Sequence, residues 1–264
     1  MAWFPALLAL ALAAALTFLT LPIVAIFVDT SPGRLLEALG ERGALDALWL
    51  SLRTTAMSLA IILVVGTPAA YLLATRSFRG KAAVVTLVEL PLVLPPAVAG
   101  IALLAAVGPA GIVGGAVEAA GVELTLATAG VVVALTFVAS PFYVRQAMAA
   151  FASVDRTLLD ASRTLGVSEA RSFARVMIPS AMPGLAAGTA LALGRALGEF
   201  GATLMFAGSL QGITQTVPLA IYDRFSTQFD SALALSAVLV AVSAAILLSV
   251  KLVQGSEALG GAPR

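Results

Sequence analysis

The sequence predicts an all-α integral membrane protein with six transmembrane helices and both termini on the cytoplasmic side. Three observations lead there. Of 264 residues, 60% are hydrophobic and only 11% are charged, and the mean hydropathy is +1.04. Soluble domains carry about a quarter charged residues and at most about half apolar ones. Several apolar runs reach about 20 residues, the length at which an α-helix crosses the hydrocarbon core. Lys and Arg are spread unevenly between the two sides that these runs define. Low charge and high apolar content exclude a disordered chain, and too little polar surface remains to cover a soluble globule. The length suits one bundle rather than several domains.

Charges mark the span ends. The first span runs from about Pro5 to Val28 and stops at Asp29. No Lys or Arg precedes it and it is long for a signal-peptide core, so it reads as a retained helix. The second covers about Ala56 to Thr75, between Arg53 and Arg76. The third covers about Val84 to Val107 and contains Glu89, Pro91, Pro95 and Pro96. The fourth runs from about Thr125 to Val144. The fifth, about Pro183 to Phe206, contains Arg195 and Glu199. The sixth is Ser231 to Val250, ending at Lys251. This divides the chain into a first helix and outer loop (1–47), a main membrane unit (48–252) and a tail (253–264).

Orientation follows from the basic residues. One side holds Arg76, Arg79 and Lys81, then Arg145, Arg156, Arg163, Arg171 and Arg175, then Lys251 and Arg264, ten in all. The other holds four, Arg34, Arg42, Arg53 and Arg224, together with eight acids. The basic side is assigned to the cytoplasm, which places both termini there and the chain, multi-pass, in the cytoplasmic membrane.

The inventory excludes several chemistries. With no Cys and no His, there are no disulfides, thiol nucleophiles, Cys/His metal sites or Ser-His-Asp triads. A net charge of +1 gives no case for nucleic acid. Gly108, Gly111, Gly114 and Gly115 cluster, but no Lys follows as a phosphate-binding loop requires. No catalytic residue, metal site or cofactor is assigned to this chain, so any nucleotide hydrolysis belongs to another.

The longest cytoplasmic connection, Arg145 to Met182, has helical periodicity. Phe151, Val154, Leu158, Leu159, Ser162 and Leu165 recur at spacings of three and four, with Asp155, Arg156, Asp160 and Arg163 between them. Gly166 reads as a helix C-cap and Ser168 as the start of a second helix, with Glu169 near its positive end and Arg171 at N3. Pro179 and Pro183 are expected to interrupt the chain before the fifth span. The pattern is helix, glycine turn, helix, lying across the cytoplasmic face.

Asp160-Ala161-Ser162, Gly166, and Val176-x-Ile178-Pro179 at their spacings resemble the EAA loop of ABC importer permeases. Asp stands for Glu, Ser for the second Ala, Val for Ile and Ile for Leu, and each change keeps charge sign, size or apolar character. The resemblance extends from about Leu48 to Val250 and implies a type-1 ABC importer permease fold. It also implies a coupling helix seated in a groove of a separate ATPase. Asp160 would meet a basic partner there, Ala161, Ser162 and Gly166 would keep the contact close, and Pro179 would bound the return. Arg156, Arg163 and Arg171 are assigned either to this contact or to lipid head groups.

Two further stretches resemble molybdate permease subunits: Glu89 to Gly100, and Gly194 to Gly208 followed by Thr214 to Tyr222. Sulfate and tungstate permeases share parts of both. The implied partners are a second copy of the chain, two ABC ATPase subunits carrying ATP and Mg, an external molybdate-binding protein and membrane lipid. The competing class, an ATP-independent secondary transporter, would need an internal repeat and a coupling-ion site. No clear repeat is visible, and Glu89 and Glu199 are the only acids within spans.

The residues themselves leave two readings open at the pore. Pro91, Pro95 and Pro96 break the third span, either as a kink or to present free carbonyls to a wet cavity. Gly184/Gly188 and Gly194/Gly198, each four apart, permit close helix packing, a substrate path, or both. Arg195 and Glu199, one turn apart, read as a structural ion pair, with an anion contact by Arg195 as the alternative. The acid-rich outer loops repel a dianion, so delivery by a binding protein is expected. Neutral donors would then line the path: backbone near Gly198 and Gly201, the Thr203 hydroxyl and the Gly100 backbone.

Overall fold

The computed structural model describes residues 3–41 and 43–260. In chain order these form α1 (Trp3–Asp29), α2 (Pro32–Gly40), α3 (Ala44–Thr75), α4 (Lys81–Val93), α5 (Pro96–Val107) and α6 (Gly114–Ala119). There follow α7 (Thr128–Ser153), α8 (Arg156–Thr164) and α9 (Glu169–Ser172). A π-helical turn (Phe173–Met177) then joins α9 to α10 (Ile178–Leu197), which precedes α11 (Gly201–Ala207), α12 (Val217–Phe225) and α13 (Phe229–Gly260). Among the described residues five continuous helices are long and apolar enough to cross a membrane, and the bent α4–α5 pair passes the same test of length and composition when taken together, which makes six if it counts as one span.

The core is built around α7, whose buried residues run from Gly130 to Phe151. Helix α3 lies beside it in the same direction: Ser58 Oγ donates to Val132 O at 3.0 Å, and Thr67 Oγ1 meets Tyr143 Oη at 2.6 Å. Helix α10 packs on α7 in the opposite direction through its glycines. A Cβ on Gly184 would stand 2.4 Å from Ala150 Cβ, and one on Gly188 would stand 3.1 Å from Gln146 Cβ. Small residues bring these backbones together, and in hydrocarbon close packing is a main source of helix association. The Gly184/Gly188 pair therefore serves packing. Gly194, by contrast, faces open space. Helix α1 packs on α13 and buries none of its own residues.

The two ends of the bundle segregate the charges as the sequence suggests. At one end Arg34 pairs with Asp230 and Arg224 with Glu41, each at 3.3 Å, and Ser231 Oγ donates to Glu41 Oε2 at 2.9 Å. At the other, Arg76 pairs with Glu169, and Arg145 lies 3.7 Å from Glu89. This basic end also carries α8 and the start of α1.

The second, third and fifth spans differ most from the sequence reading. The second span begins at Ala44, so Asp46 and Arg53 are helical rather than flanking. The third is not one rod: α4 and α5 meet at Leu94–Pro95 with their axes turned by 120°. Pro95 is the N-cap and Pro96 the first residue of α5, where a missing N–H removes no ladder bond. The fifth span runs from Glu169 to Leu197 instead of Pro183 to Phe206, and Gly201–Ala207 is a separate helix. Pro179 and Pro183 do not interrupt it. The π turn absorbs the misfit, with Ile178 N–H reaching Phe173 O.

Candidate functional site

Two constellations stand out, one on the basic end and one inside the bundle. On the basic end, α7 stops at Ser153 and α8 starts two residues past Val154. The helical pattern read from Phe151 to Leu165 is thus two helices with a turn between. Asp155 caps α8 by accepting from Thr157 N–H at 2.9 Å, which holds its carboxyl below the ordinary aspartate range. Gly166 ends the helix at φ +71°, the left-handed conformation that a Cβ disfavours. Val167 N–H then reaches Ser162 O and Gly166 N–H reaches Arg163 O, both at 3.0 Å, which closes a Schellman turn.

The two faces of α8 differ. Leu159 and Ser162 face inward, and Ser162 Oγ lies 2.8 Å from Ser172 Oγ, with both residues buried. Leu158, Ala161, Leu165 and Gly166 lie outward, and Leu165 is 81% exposed. Spacings of three and four put Leu158, Ala161 and Leu165 on one stripe. Asp160, also exposed, pairs with Arg163 at 3.3 Å beside it. Of the predicted coupling residues, Ala161 and Gly166 thus share the free face, Asp160 is exposed at its side above a cavity bordered by Tyr71 and Arg76, and Ser162 fastens α8 to its own subunit. Pro179 lies further along, exposed near the foot of α10. Leu165 belongs to the helical periodicity in the sequence, and the structure makes it the most prominent outward side chain of the turn. The signal that could have found it is its place next to Gly166, since a residue at a helix C-cap has left the buried stripe.

Inside the bundle, the break after Leu197 sets α11 against α5. A Cβ on Gly100 would stand 2.7 Å from Ala202 O and from Met205 Cβ, and one on Gly201 would stand 2.8 Å from Pro96 Cβ. These two glycines let the short helices touch. Glu199 bridges the break. Its carboxylate accepts from Ala202 N–H at 2.7 Å at the start of α11, and pairs with Arg195 in the last turn of α10. An acid at a helix N-terminus and a base at a C-terminus each match the local dipole. Glu199 is 1% exposed and the Arg195 side chain 24%. The two are joined as the sequence suggests, and the Glu199 carboxylate thereby touches both the end of α10 and the start of α11.

The other junction residues divide by exposure. Pro95, Pro96 and Gly198 are on the surface of the subunit. Gly100 is buried, Gly201 half-buried and Thr203 fully buried, with no hydrogen-bond partner for Thr203 Oγ1. Gly198 also borders a groove of about 360 Å³ between α10 and α13, lined by Leu193, Gly194, Leu239 and Leu247 among others. No group of three or more acidic side chains among the described residues could hold a metal ion.

Residues 62–256, which include both constellations, match the family described as the binding-protein-dependent transport system inner membrane component. The chain belongs to that family. Among curated relatives, the molybdenum transport system permease protein ModB of Mycobacterium tuberculosis is 41% identical over 237 residues, 90% of each chain. A probable molybdenum ABC transporter permease protein of Haloferax volcanii is 41% identical over 236 residues, 89% of this chain and 85% of that one. The Escherichia coli ModB is 37% identical over 183 residues, 69% of this chain and 80% of the relative. Among solved structures, a bacterial ABC transporter that imports alginate superposes with a TM-score of 0.77 at 18% identity, covering 97% of this chain and 96% of that one. The MetNI methionine ABC transporter superposes with a TM-score of 0.64 at 18% identity, over 81% of this chain and 95% of its own. The fold is that of an ABC importer permease. The expected class is borne out, and this inner membrane component is a multi-pass membrane protein.

Proposed function

We propose that the chain is the membrane-spanning subunit of an ATP-driven importer whose cargo is molybdate. The observation that carries this is identity of 41% to molybdenum transport permeases across nine-tenths of both chains. In this reading two copies enclose the path, and two ATPase subunits holding ATP and Mg dock on the basic ends. An external binding protein delivers the anion to the acidic ends. Both termini and α8 are cytoplasmic, in line with the Lys/Arg asymmetry.

Each constellation has a part. The outward stripe of α8, with Asp160 beside it, offers the ATPase an apolar ridge flanked by charge, and Gly166 lets it turn back within one residue. The α5–α11 junction forms the wall of the path, with Pro95, Pro96 and Gly198 on its surface and Gly100, Glu199, Gly201 and Thr203 holding its shape. A path lined by backbone and small residues binds the anion weakly and releases it. A fixed cation there would slow exit, and Arg195 is neutralised by Glu199.

The test is reconstitution with the ATPase and the binding protein in liposomes, following labelled molybdate. Uptake that needs both ATP and the binding protein is expected. Uptake by the chain alone without ATP would overturn the reading in favour of a secondary transporter. Stronger competition by sulfate or tungstate than by molybdate would keep the class and change the cargo. Orientation is read separately with Ser168→Cys and Ser226→Cys in this cysteine-free chain. Labelling of the Ser168 variant from outside intact cells would refute it.

A further inference from the structure

We infer that Arg76 is a positioning residue that ties the coupling segment to α3. A push on α8 is then delivered to the feet of α3 and α7 together, while α10 yields at its π turn. This rests on the reading of α8 as the ATPase contact, and names how the force leaves that contact.

Four contacts join α8 and α9 to each other and to the bundle. The Arg76 guanidinium, just past the end of α3, pairs with the Glu169 carboxylate at the start of α9. Ser162 and Ser172 join α8 to α9 through their hydroxyls, buried and 2.8 Å apart. Beneath them Tyr71 of α3, Phe151 of α7 and Phe173 of the π turn form an aromatic trio. Their centroids are 5.5 Å apart for Tyr71–Phe151, 4.6 Å for Tyr71–Phe173 and 6.1 Å for Phe151–Phe173. Inward-facing Leu159 packs against the same core cluster. The aromatic trio and the Arg76–Glu169 pair cross from the loop to α3 and α7, so a displacement of the loop is felt by both.

The connection along the chain into α10 is softer. The turn from Phe173 to Met177 is wound as a π-helix. Pro179 and Pro183 follow, and neither has an N–H for the carbonyl four residues back, on Arg175 and Pro179. A helix that lacks successive ladder bonds bends there at low cost. Force entering at α8 therefore divides between stiff side-chain links to α3 and α7 and a compliant backbone link to α10. The shift of α10 against α7 acts on its far end, where Arg195 and Glu199 hold the junction with α11. A cavity of about 280 Å³ beside the links, bordered by Tyr71, Arg76, Asp160 and Glu169, gives the segment room to move.

The experiment uses the full complex of permease, ATPase and binding protein in liposomes, and measures ATP hydrolysed per molybdate imported. Arg76→Glu and Glu169→Arg should each raise that ratio about two- to fivefold, the scale expected for losing a partly exposed ion pair. The ATPase should remain bound and the melting temperature should hold. The double reversal Arg76→Glu/Glu169→Arg should bring the ratio back towards wild type, which a mere packing role would not produce. An unchanged ratio in the single variants, failure of the double to rescue, or loss of the ATPase from the single variants would each overturn the inference. Absence of ATP-dependent uptake in the wild-type complex would instead overturn the parent reading and the inference with it.

Discussion

Substituting Arg195 by Gln removes the partner of a carboxylate that is 1% exposed. Glu199 keeps the Ala202 N–H but loses its counter-charge. Breaking a buried ion pair by deleting one member costs about 3–5 kcal/mol, because the remaining charge is left without compensation. The lower end, about 3 kcal/mol, applies here, since Arg195 is 24% exposed and Glu199 keeps its bond from Ala202 N–H. At roughly 2–4 °C per kcal/mol for chains of this order of size, R195Q should lower the melting temperature by roughly 6–12 °C. Glu199→Gln is milder, because the amide oxygen still accepts from Ala202 and Arg195 can turn towards the surface. The double variant R195Q/E199Q should recover most of the loss, since it buries no net charge. Melting of the purified protein in detergent, run on all three variants, tests this order. R195Q melting with wild type, or the double variant melting as low as R195Q, would refute the view that the pair fastens the broken span. Unchanged uptake by the double variant would also remove Arg195 from the anion path.

Other outcomes follow from the same geometry. Gly100→Ala puts a methyl 2.7 Å from Ala202 O and Met205 Cβ, and should cost about 1–3 kcal/mol and most of the transport. Gly194→Ala meets nothing within 4 Å, and should leave melting unchanged or slightly raised. Gly166→Val imposes a left-handed φ on a β-branched residue at about 1–2 kcal/mol with no clash to blame, and Gly166→Ala should lose less. Both should insert normally, and transport and ATPase co-purification should fall in that order. The Asp155 cap is present above the ordinary aspartate range and is lost as pH falls through its lowered value. Amide exchange in 157–164, corrected for intrinsic rate, should rise there in the wild type and lose that step in Asp155→Asn.

Composition and span length alone determined the class of the protein, because a bilayer admits few solutions for a chain this apolar. The Lys/Arg partition grouped the loops correctly: Arg34 meets Asp230, Arg224 meets Glu41, and Arg76 meets Glu169 at the opposite end. Gly166 as a C-cap and Arg195 with Glu199 as a pair were legible for the same reason. Turns and one-turn spacings are local, and local geometry is written in adjacent residues. What the sequence did not disclose depends on neighbours far along the chain. Pro95–Pro96 could mark a kink or a new helix, and the structure shows a 120° turn, with α5 packed on α11 where Gly100 meets Ala202 and Gly201 meets Pro96. Pro179 and Pro183 predict a break, yet the helix continues, with a π turn just before them whose Phe173 packs against Tyr71 and Phe151. Ser162 and Leu165 lie three apart on one periodic pattern, and the structure sends one inward to Ser172 and the other outward. Periodicity gives the angle between two side chains on a helix, and the direction in which the helix faces is set by what it packs against.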